Sequence, residues 1–199
     1  LGTITDASGR TLSGQTTEAF YISMAHSRPM CIGLNCALGA PDMRPYLQRL
    51  STIAECYVSA YPNAGLPNAM GGYDEKPEQF KEHIRDFITS GLVNIVGGCC
   101  GTRPAHIVQV AKAVEEIHSN SSFQVRQPAP MNTRLRLSGL EPFILTDNIK
   151  FVNVGERCNI AGSRAFKNMI LKGEFEKALS VARSQVENGA QVLDINMDA

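Results

Sequence analysis

The chain has 199 residues, of which 43% are hydrophobic and 19% are charged, and its 19 basic and 19 acidic side chains cancel. This balance, without clusters of either sign, gives no electrostatic footprint for nucleic acid or for an anionic membrane surface. No apolar run approaches the roughly 18 residues needed to span a bilayer, and the first residues lack the basic and apolar regions of a signal peptide. The composition predicts a globular protein, and the absence of an initiator methionine indicates a segment of a longer chain.

Strand-like and helix-like stretches alternate along the first 118 residues. Short apolar runs at 31–35, 56–60 and 92–96 predict strands. Between and after them, apolar residues recur at spacings of three and four, which predicts helices after Pro41, around Phe80 and from Pro104 onward. Alternating strands and helices are typical of a parallel α/β sheet.

The regular pattern lapses between residues 119 and 150 and then restarts. A strand is predicted at 151–154 and another at 191–195, with helical residues between them. We therefore predict an α/β unit at 1–118, a linker at 119–150 and a second α/β unit at 151–199. The second unit has too few strands to close a sheet, so we expect it to be truncated.

Three cysteines follow predicted strands at the point where each strand ends. Cys36 comes directly after the first strand, and Cys99 and Cys100 come after the third. The carboxyl ends of parallel strands lie on one face, so these thiols are expected to meet at one edge of the sheet. The glycines around the pair permit the unusual backbone angles that a tight turn of this kind needs. Asn63 follows the strand in between and is expected near the same edge.

Three thiolates at one point are typical ligands of zinc, and a site with three protein ligands leaves the fourth position open. Such a site would bind a substrate thiol as an electron-rich thiolate, which indicates alkyl transfer onto sulfur. A redox pair formed by Cys99 and Cys100 is the alternative. The wide spacing of the six cysteines favours a reduced protein of the cytoplasm rather than a disulfide scaffold. We expect Cys31 and Cys56 to be buried in the core. The four histidines form no constellation with them, and we expect them at the surface.

The segments that carry these cysteines resemble the homocysteine-binding zinc domain of the homocysteine methyltransferases. They are 33–37, 61–68 and 94–102, the last reading Asn-Ile-Val-Gly-Gly-Cys-Cys-Gly-Thr. The resemblance implies the C-terminal part of a (β/α)8 TIM barrel with zinc at its mouth. It also implies Cys36, Cys99 and Cys100 as zinc ligands, with Asn63 as a further ligand when substrate is absent.

The second unit resembles the opening of a pterin-binding domain, again TIM-like, at 151–159 and 191–198. With residues 138–142, which match an inter-domain segment, the whole chain resembles an internal piece of the cobalamin-dependent methionine synthase family. The resemblance implies methyl transfer from 5-methyltetrahydrofolate via cobalamin to zinc-bound homocysteine thiolate, forming methionine and tetrahydrofolate. Cobalamin would bind a module absent from this chain, so the partners implied are homocysteine, folate and the other domains of the parent enzyme. Four residues would line the folate pocket: Glu156, Asn159, Asp194 and Asn196.

Other interpretations stay open at this point. Glu156 could instead form a structural ion pair with Arg157, and Asp194 could be a turn residue. The chain could be a non-catalytic truncated fragment or isoform of the same enzyme. It could also belong to a cobalamin-independent homocysteine S-methyltransferase, which a continuing pterin domain would exclude.

Overall fold

The chain divides into two compact units, Leu1–Leu145 and Thr146–Ala199. The computed structural model describes residues 1–120 and 122–198. Ser121 and Ala199, which fall in the predicted linker and the predicted second unit, lie outside the described residues. No helix in the described part of the chain is long and apolar enough to cross a membrane.

A parallel sheet forms the centre of the first unit. Its strands lie in the order β1-β2-β3-β4, which is also their order along the chain, and each is parallel to its neighbour. The strands are β1 (Gly2–Thr3), β2 (Cys31–Gly39), β3 (Tyr57–Asn63) and β4 (Ile95–Val96). Their carboxyl ends therefore all lie at one edge of the sheet.

Helices connect and cover these strands, and the α/β alternation that the sequence predicts is confirmed. They are α1 (Thr17–Ala25), α2 (Ala40–Ile53), α3 (Pro77–Thr89) and α4 (Pro104–His118). In α2 the fully buried residues Met43, Leu47 and Leu50 are spaced by four and three, so they share the face that packs on the sheet. Phe80 and Phe87 of α3 are also fully buried, and each stabilises the fold by about 2–3 kcal/mol relative to an exposed ring.

The third predicted strand, at 92–96, is wrong in its length, because only Ile95–Val96 pairs as β4. Just before it, the Asn94 side chain accepts a hydrogen bond from the Val58 N–H at 3.0 Å, a position that a strand carbonyl would otherwise take. An apolar run cannot reveal that a side chain has replaced part of the backbone ladder.

Gly33 lies in β2 directly opposite Ser59 of β3. A Cβ atom at this position would overlap both the hydroxyl and the backbone carbonyl of Ser59. Because a backbone cannot turn aside as a flexible side chain can, we expect Gly33→Ala to destabilise the first unit by about 2 kcal/mol. Gly139→Ala, where a Cβ would meet nothing within 4 Å, is the matched control. Urea denaturation of both variants measures the difference, and equal midpoints would contradict this account of β2.

The segment predicted as a linker contains a hairpin that packs on the first unit. Its strands are β5 (Arg136–Ser138) and β6 (Pro142–Ile144), and they pair antiparallel. The Ser138 hydroxyl donates to the carbonyl of Ala19 in α1 at 2.6 Å, and the Thr16 N–H donates to the Leu140 carbonyl at 2.9 Å. The boundary between the two compact units falls after this hairpin, at residues 145 and 146.

The second unit has two parallel strands and two helices. They are β7 (Val154–Asn159), α5 (Arg164–Leu171), α6 (Phe175–Glu187) and β8 (Val192–Asn196). The strand predicted at 151–154 is wrong in its position, because β7 begins where that prediction ends. Phe151 is 74% exposed, so the apolar run that suggested a buried strand lies mostly outside it. Cys158, which the prediction did not place in the strand, is 2% exposed and packs in the core of this unit.

Candidate metal centre

Cys36 lies in an irregular stretch of β2. The register against β3 shifts between Asn35 and Gly39, so the strand continues past the predicted end at residue 35 through a bulge. Within the bulge Cys36 and Ala37 have φ angles of 62° and 61°. This left-handed conformation is unfavourable for residues with a Cβ atom and costs on the order of 1 kcal/mol each. The pairing of β2 with β3 on either side of the bulge maintains this conformation. The bulge places Cys36 at the carboxyl edge of the sheet.

Cys99 and Cys100 lie in a turn directly after β4, and backbone hydrogen bonds fix this turn to the end of β3. The Cys99 N–H donates to the Pro62 carbonyl at 2.8 Å, and the Ala64 N–H donates to the Cys100 carbonyl at 2.9 Å. Gly101, with a φ angle of 78°, ends the turn in a conformation that glycine adopts readily.

The structure brings together the three cysteines that the sequence singles out. The Cys36 sulfur lies 3.5 Å from that of Cys100, and the Cys99 and Cys100 sulfurs are 4.0 Å apart. All three sulfurs lie within 4.8 Å of one another. Zinc–sulfur bonds of about 2.3 Å in a tetrahedron place sulfurs about 3.8 Å apart. The donor set and its spacing therefore fit one zinc ion with three thiolate ligands.

The pKa values of two of these thiols are shifted in opposite directions. Burial raises the pKa of Cys36, but hydrogen bonds from the Ala37 backbone, the other two cysteines and Asn63 outweigh it, so the pKa lies below its usual value. Burial, followed by the hydrogen bonds and charge of the neighbouring cysteines, raises the pKa of Cys99 to about 11. Ionisation of Cys36 is thus favoured and ionisation of Cys99 is disfavoured, because two negative charges at close range repel each other. A shared cation would stabilise all three thiolates together.

Asn63 lies at the end of β3 and is only 2% exposed. Its side-chain oxygen accepts a hydrogen bond from the Cys100 N–H at 3.1 Å. Asn63 thereby fixes the turn after β4 to the end of β3. The structure therefore brings the Asn63 side chain to the backbone of one of the three cysteines, and its role as a further ligand stays a prediction.

The other three cysteines lie apart from this cluster, and all six are free thiols. Cys56 is partly buried and packs against the core of the first unit, and burial raises its pKa. Cys158 is buried in the second unit and accepts a hydrogen bond from the Gln185 amide at 3.2 Å.

Two residues near the cluster escaped the sequence analysis. His106, expected at the surface, is 5% exposed, and this prediction is wrong. Its Nδ1 accepts from the Arg103 N–H at 3.1 Å, and its Nε2 contacts the Glu75 carbonyl at 2.9 Å. His106 therefore connects the first turn of α4 to the loop before α3. The signal in the sequence is its place three residues after the helix cap, where a side chain can reach back to the backbone. The second residue is Tyr73, whose ring covers Gly101.

The candidate folate residues lie at the strands of the second unit. Asn159 and Asn196 are partners in the register of β7 and β8, and the Asn196 amide lies 3.4 Å from the Asn159 side-chain oxygen. Glu156 and Asn159 line an open cavity of about 460 Å³. Asp194, two residues before Asn196 on β8, is exposed and is not among the residues lining this cavity. Among the described residues of this unit the ion pair joins Lys177 and Glu174 at 3.1 Å, and none joins Glu156 to Arg157.

Comparison with known families agrees with this arrangement. Residues 1–114 match the model of the homocysteine S-methyltransferase family. This match covers more than half of the chain, and the chain belongs to that family. Residues 155–199 match the model of the pterin binding enzymes. A homocysteine S-methyltransferase domain followed by a pterin-binding domain is consistent with an internal segment of methionine synthase, as the sequence predicts.

Proposed function

We propose that this chain carries the homocysteine-activating site of a 5-methyltetrahydrofolate–homocysteine methyltransferase. In the complete enzyme the methyl group would pass from the folate through cobalamin to the homocysteine sulfur, forming methionine and tetrahydrofolate. The single observation that carries the proposal is the cluster of Cys36, Cys99 and Cys100, whose sulfurs lie within 4.8 Å of one another in a domain of the homocysteine S-methyltransferase family.

The three thiols are suited to hold zinc as a site for a fourth sulfur. Zinc bound by them would supply an open coordination position and keep the substrate sulfur as a thiolate at neutral pH. The chain's own residues provide the geometry. The bulge in β2 orients Cys36, the turn after β4 orients Cys99 and Cys100, and Asn63 accepts a hydrogen bond from the backbone of that turn. Because Cys100 is exposed, the substrate has access to the cluster from solvent.

We also propose that the parallel sheet of the first unit is part of a (β/α)8 barrel. In a barrel, consecutive strands are spatial neighbours, whereas in a doubly wound sheet the order reverses at a switch point. The observed order β1-β2-β3-β4 without reversal favours the barrel. The cysteines then lie at the carboxyl face, where barrel enzymes place their active sites.

For the second unit we propose that Glu156, Asn159, Asp194 and Asn196 contribute to a folate site. Carboxylate and amide side chains at strand ends can pair with the donors and acceptors along the edge of a pterin ring.

We assign 1–118 to the homocysteine-binding domain, 119–150 to the inter-domain segment and 151–199 to the start of the pterin-binding domain. Family matches that end at residue 114 and begin at residue 155 support this division. Six free cysteines suit a reducing compartment, and we propose the cytoplasm.

Calorimetry of homocysteine binding tests the proposal. We expect the zinc-loaded protein to bind homocysteine, and the protein stripped of metal by a chelator to bind it at least about tenfold more weakly, because the open coordination position is then lost. Methionine, whose sulfur is already methylated and cannot form a thiolate, is the matched control ligand and should bind the zinc-loaded protein more weakly than homocysteine. Equal homocysteine affinity with and without zinc would contradict the proposal.

A further inference from the structure

Cys99 and Cys100 are adjacent in the sequence, and their sulfurs lie 4.0 Å apart. In an extended strand successive side chains point to opposite faces, so two neighbouring cysteines reach one metal ion only where the chain turns. The Thr102 N–H donates to the Cys99 carbonyl at 3.2 Å, which closes a β-turn over residues 99–102. Gly101, the third residue of this turn, has a φ angle of 78°, as a type II turn requires. The turn therefore brings the two sulfurs together.

The peptide group between the two cysteines is held by hydrogen bonds at both of its polar atoms. Because a peptide group is planar, its orientation sets the ψ angle of Cys99 and the φ angle of Cys100. Its N–H donates to the Asn63 side-chain oxygen at 3.1 Å. Its carbonyl oxygen, which belongs to Cys99, accepts from the Thr102 hydroxyl at 2.7 Å as well as from the Thr102 N–H. A carbonyl oxygen has two lone pairs, and Thr102 supplies a donor to each.

The Thr102 side chain is itself held in place by close packing on Gly98. A Cβ atom at Gly98 would lie 2.2 Å from the Thr102 methyl carbon and 2.9 Å from its hydroxyl oxygen, so the threonine fills the space beside this glycine. On its other side, Thr102 is followed directly by Arg103, the cap of α4, whose N–H donates to His106 Nδ1 at 3.1 Å. Packing on Gly98 and attachment to the helix together keep the hydroxyl directed at the Cys99 carbonyl.

The distance between the two sulfurs depends on this local backbone geometry. Tetrahedral zinc with bonds of about 2.3 Å needs sulfurs about 3.8 Å apart, and the sulfurs of Cys99 and Cys100 already lie at 4.0 Å. A change in the backbone angles on either side of the shared peptide redirects both side chains and changes this distance. Because the Thr102 hydroxyl opposes such a change, the pair is arranged for a metal ion with little reorganisation, which favours binding.

We propose that Thr102 is a positioning residue of the metal centre, whose hydroxyl fixes the peptide between Cys99 and Cys100 in the orientation that lets both sulfurs bind one ion. The inference rests on the proposed zinc site and adds to it a residue beyond the ligand set. Removal of an outer partner of a metal ligand typically weakens metal affinity by about 10- to 100-fold, so Thr102→Val should weaken zinc binding by about tenfold. Valine keeps the branched shape that packs on Gly98, and only the hydroxyl is lost. Thr102→Ser keeps the hydroxyl and should bind zinc as the wild type does.

The test compares zinc affinity, measured by competition with a chromophoric chelator, in the wild type, Thr102→Val, Thr102→Ser and Thr89→Val. Thr89→Val is the control because it removes the same group, a threonine hydroxyl that donates to a backbone carbonyl, in this case that of Arg85 at 2.9 Å near the end of α3. A second readout is the visible absorption of the cobalt(II)-substituted proteins, whose ligand-field bands depend on the angles between the ligands. These bands should shift in Thr102→Val alone.

If either the zinc affinity or the cobalt spectrum of Thr102→Val matches that of the wild type, the inference is overturned. A loss of affinity without a spectral shift would mean that Thr102 acts only on folding. An equal loss of affinity in Thr102→Ser would also overturn it, because the methyl group rather than the hydroxyl would then be responsible. If the wild type itself binds no zinc, the proposed function fails together with the inference, and this result is distinct from the others, in all of which the wild type binds zinc.

Discussion

Cys99→Ser is expected to abolish tight zinc binding while the protein stays folded. Structural zinc sites have apparent binding free energies of about 10–16 kcal/mol, shared among four ligands. The loss of one thiolate should therefore cost about 3–4 kcal/mol, or on the order of several hundredfold in affinity. Cys99 is the appropriate residue to replace because its sulfur lies within 4.8 Å of both partner sulfurs, whereas its turn is fixed by backbone hydrogen bonds that serine retains.

Cys31→Ser is the matched control, because Cys31 is also a partly buried cysteine of the first unit but lies outside the cluster. Zinc content after dialysis, measured by atomic absorption, should be one ion per chain in the wild type and in Cys31→Ser, and close to zero in Cys99→Ser. Retention of zinc by Cys99→Ser would remove Cys99 from the ligand set. Metal-free wild-type protein that forms a disulfide between Cys99 and Cys100 would favour the redox interpretation.

Arg126→Met is expected to destabilise the first unit by about 3 kcal/mol or more. The Arg126 residue is 7% exposed, and its guanidinium donates to the carbonyl oxygens of Ser51, Ala54 and Cys56 at 2.7, 2.9 and 3.0 Å. It also donates to the Asn94 side-chain oxygen at 3.1 Å. Methionine preserves much of the apolar volume but removes all four hydrogen bonds. The Asn94 oxygen keeps the Val58 N–H and the Ala54 carbonyl keeps the Ala129 N–H, but each lost bond to a charged donor contributes about 1.5–3 kcal/mol.

Arg49→Met is the control for this substitution, because its side chain is 67% exposed and pairs with Glu18 at 3.0 Å. Exposed ion pairs contribute at most about 1 kcal/mol. Urea denaturation followed by far-ultraviolet circular dichroism separates the two cases. Similar unfolding midpoints for both variants would mean that Arg126 does not fix the segment after α4 to the sheet.

The place of the thiol cluster follows from local sequence signals. A strand pattern before Cys36 and another before Cys99, joined by helical patterns, put both thiols at the carboxyl ends of parallel strands. The parallel arrangement brings those ends to one edge whatever the details of the helices. For this reason the clustering of the three cysteines could be predicted although the strand boundaries could not.

The geometry around the three cysteines depends on contacts between residues distant in sequence. The bulge at Cys36 requires a left-handed conformation at two residues that are not glycine, and no local preference predicts this. The short β4 depends on the Asn94 side chain, which bonds to Val58 across the sheet. Arg126 and His106 have their roles only because their partners arrive from other elements. Hydrophobic periodicity contains no information about such pairs.

The most direct test of the zinc site is X-ray absorption at the zinc edge of the metal-loaded protein, measured before and after addition of homocysteine. The account predicts three sulfur neighbours at about 2.3 Å and one lighter oxygen or nitrogen neighbour in the free protein. On addition of homocysteine the lighter neighbour should be replaced by a fourth sulfur. Fewer than three sulfurs in the free protein, or a zinc environment that homocysteine leaves unchanged, would contradict it.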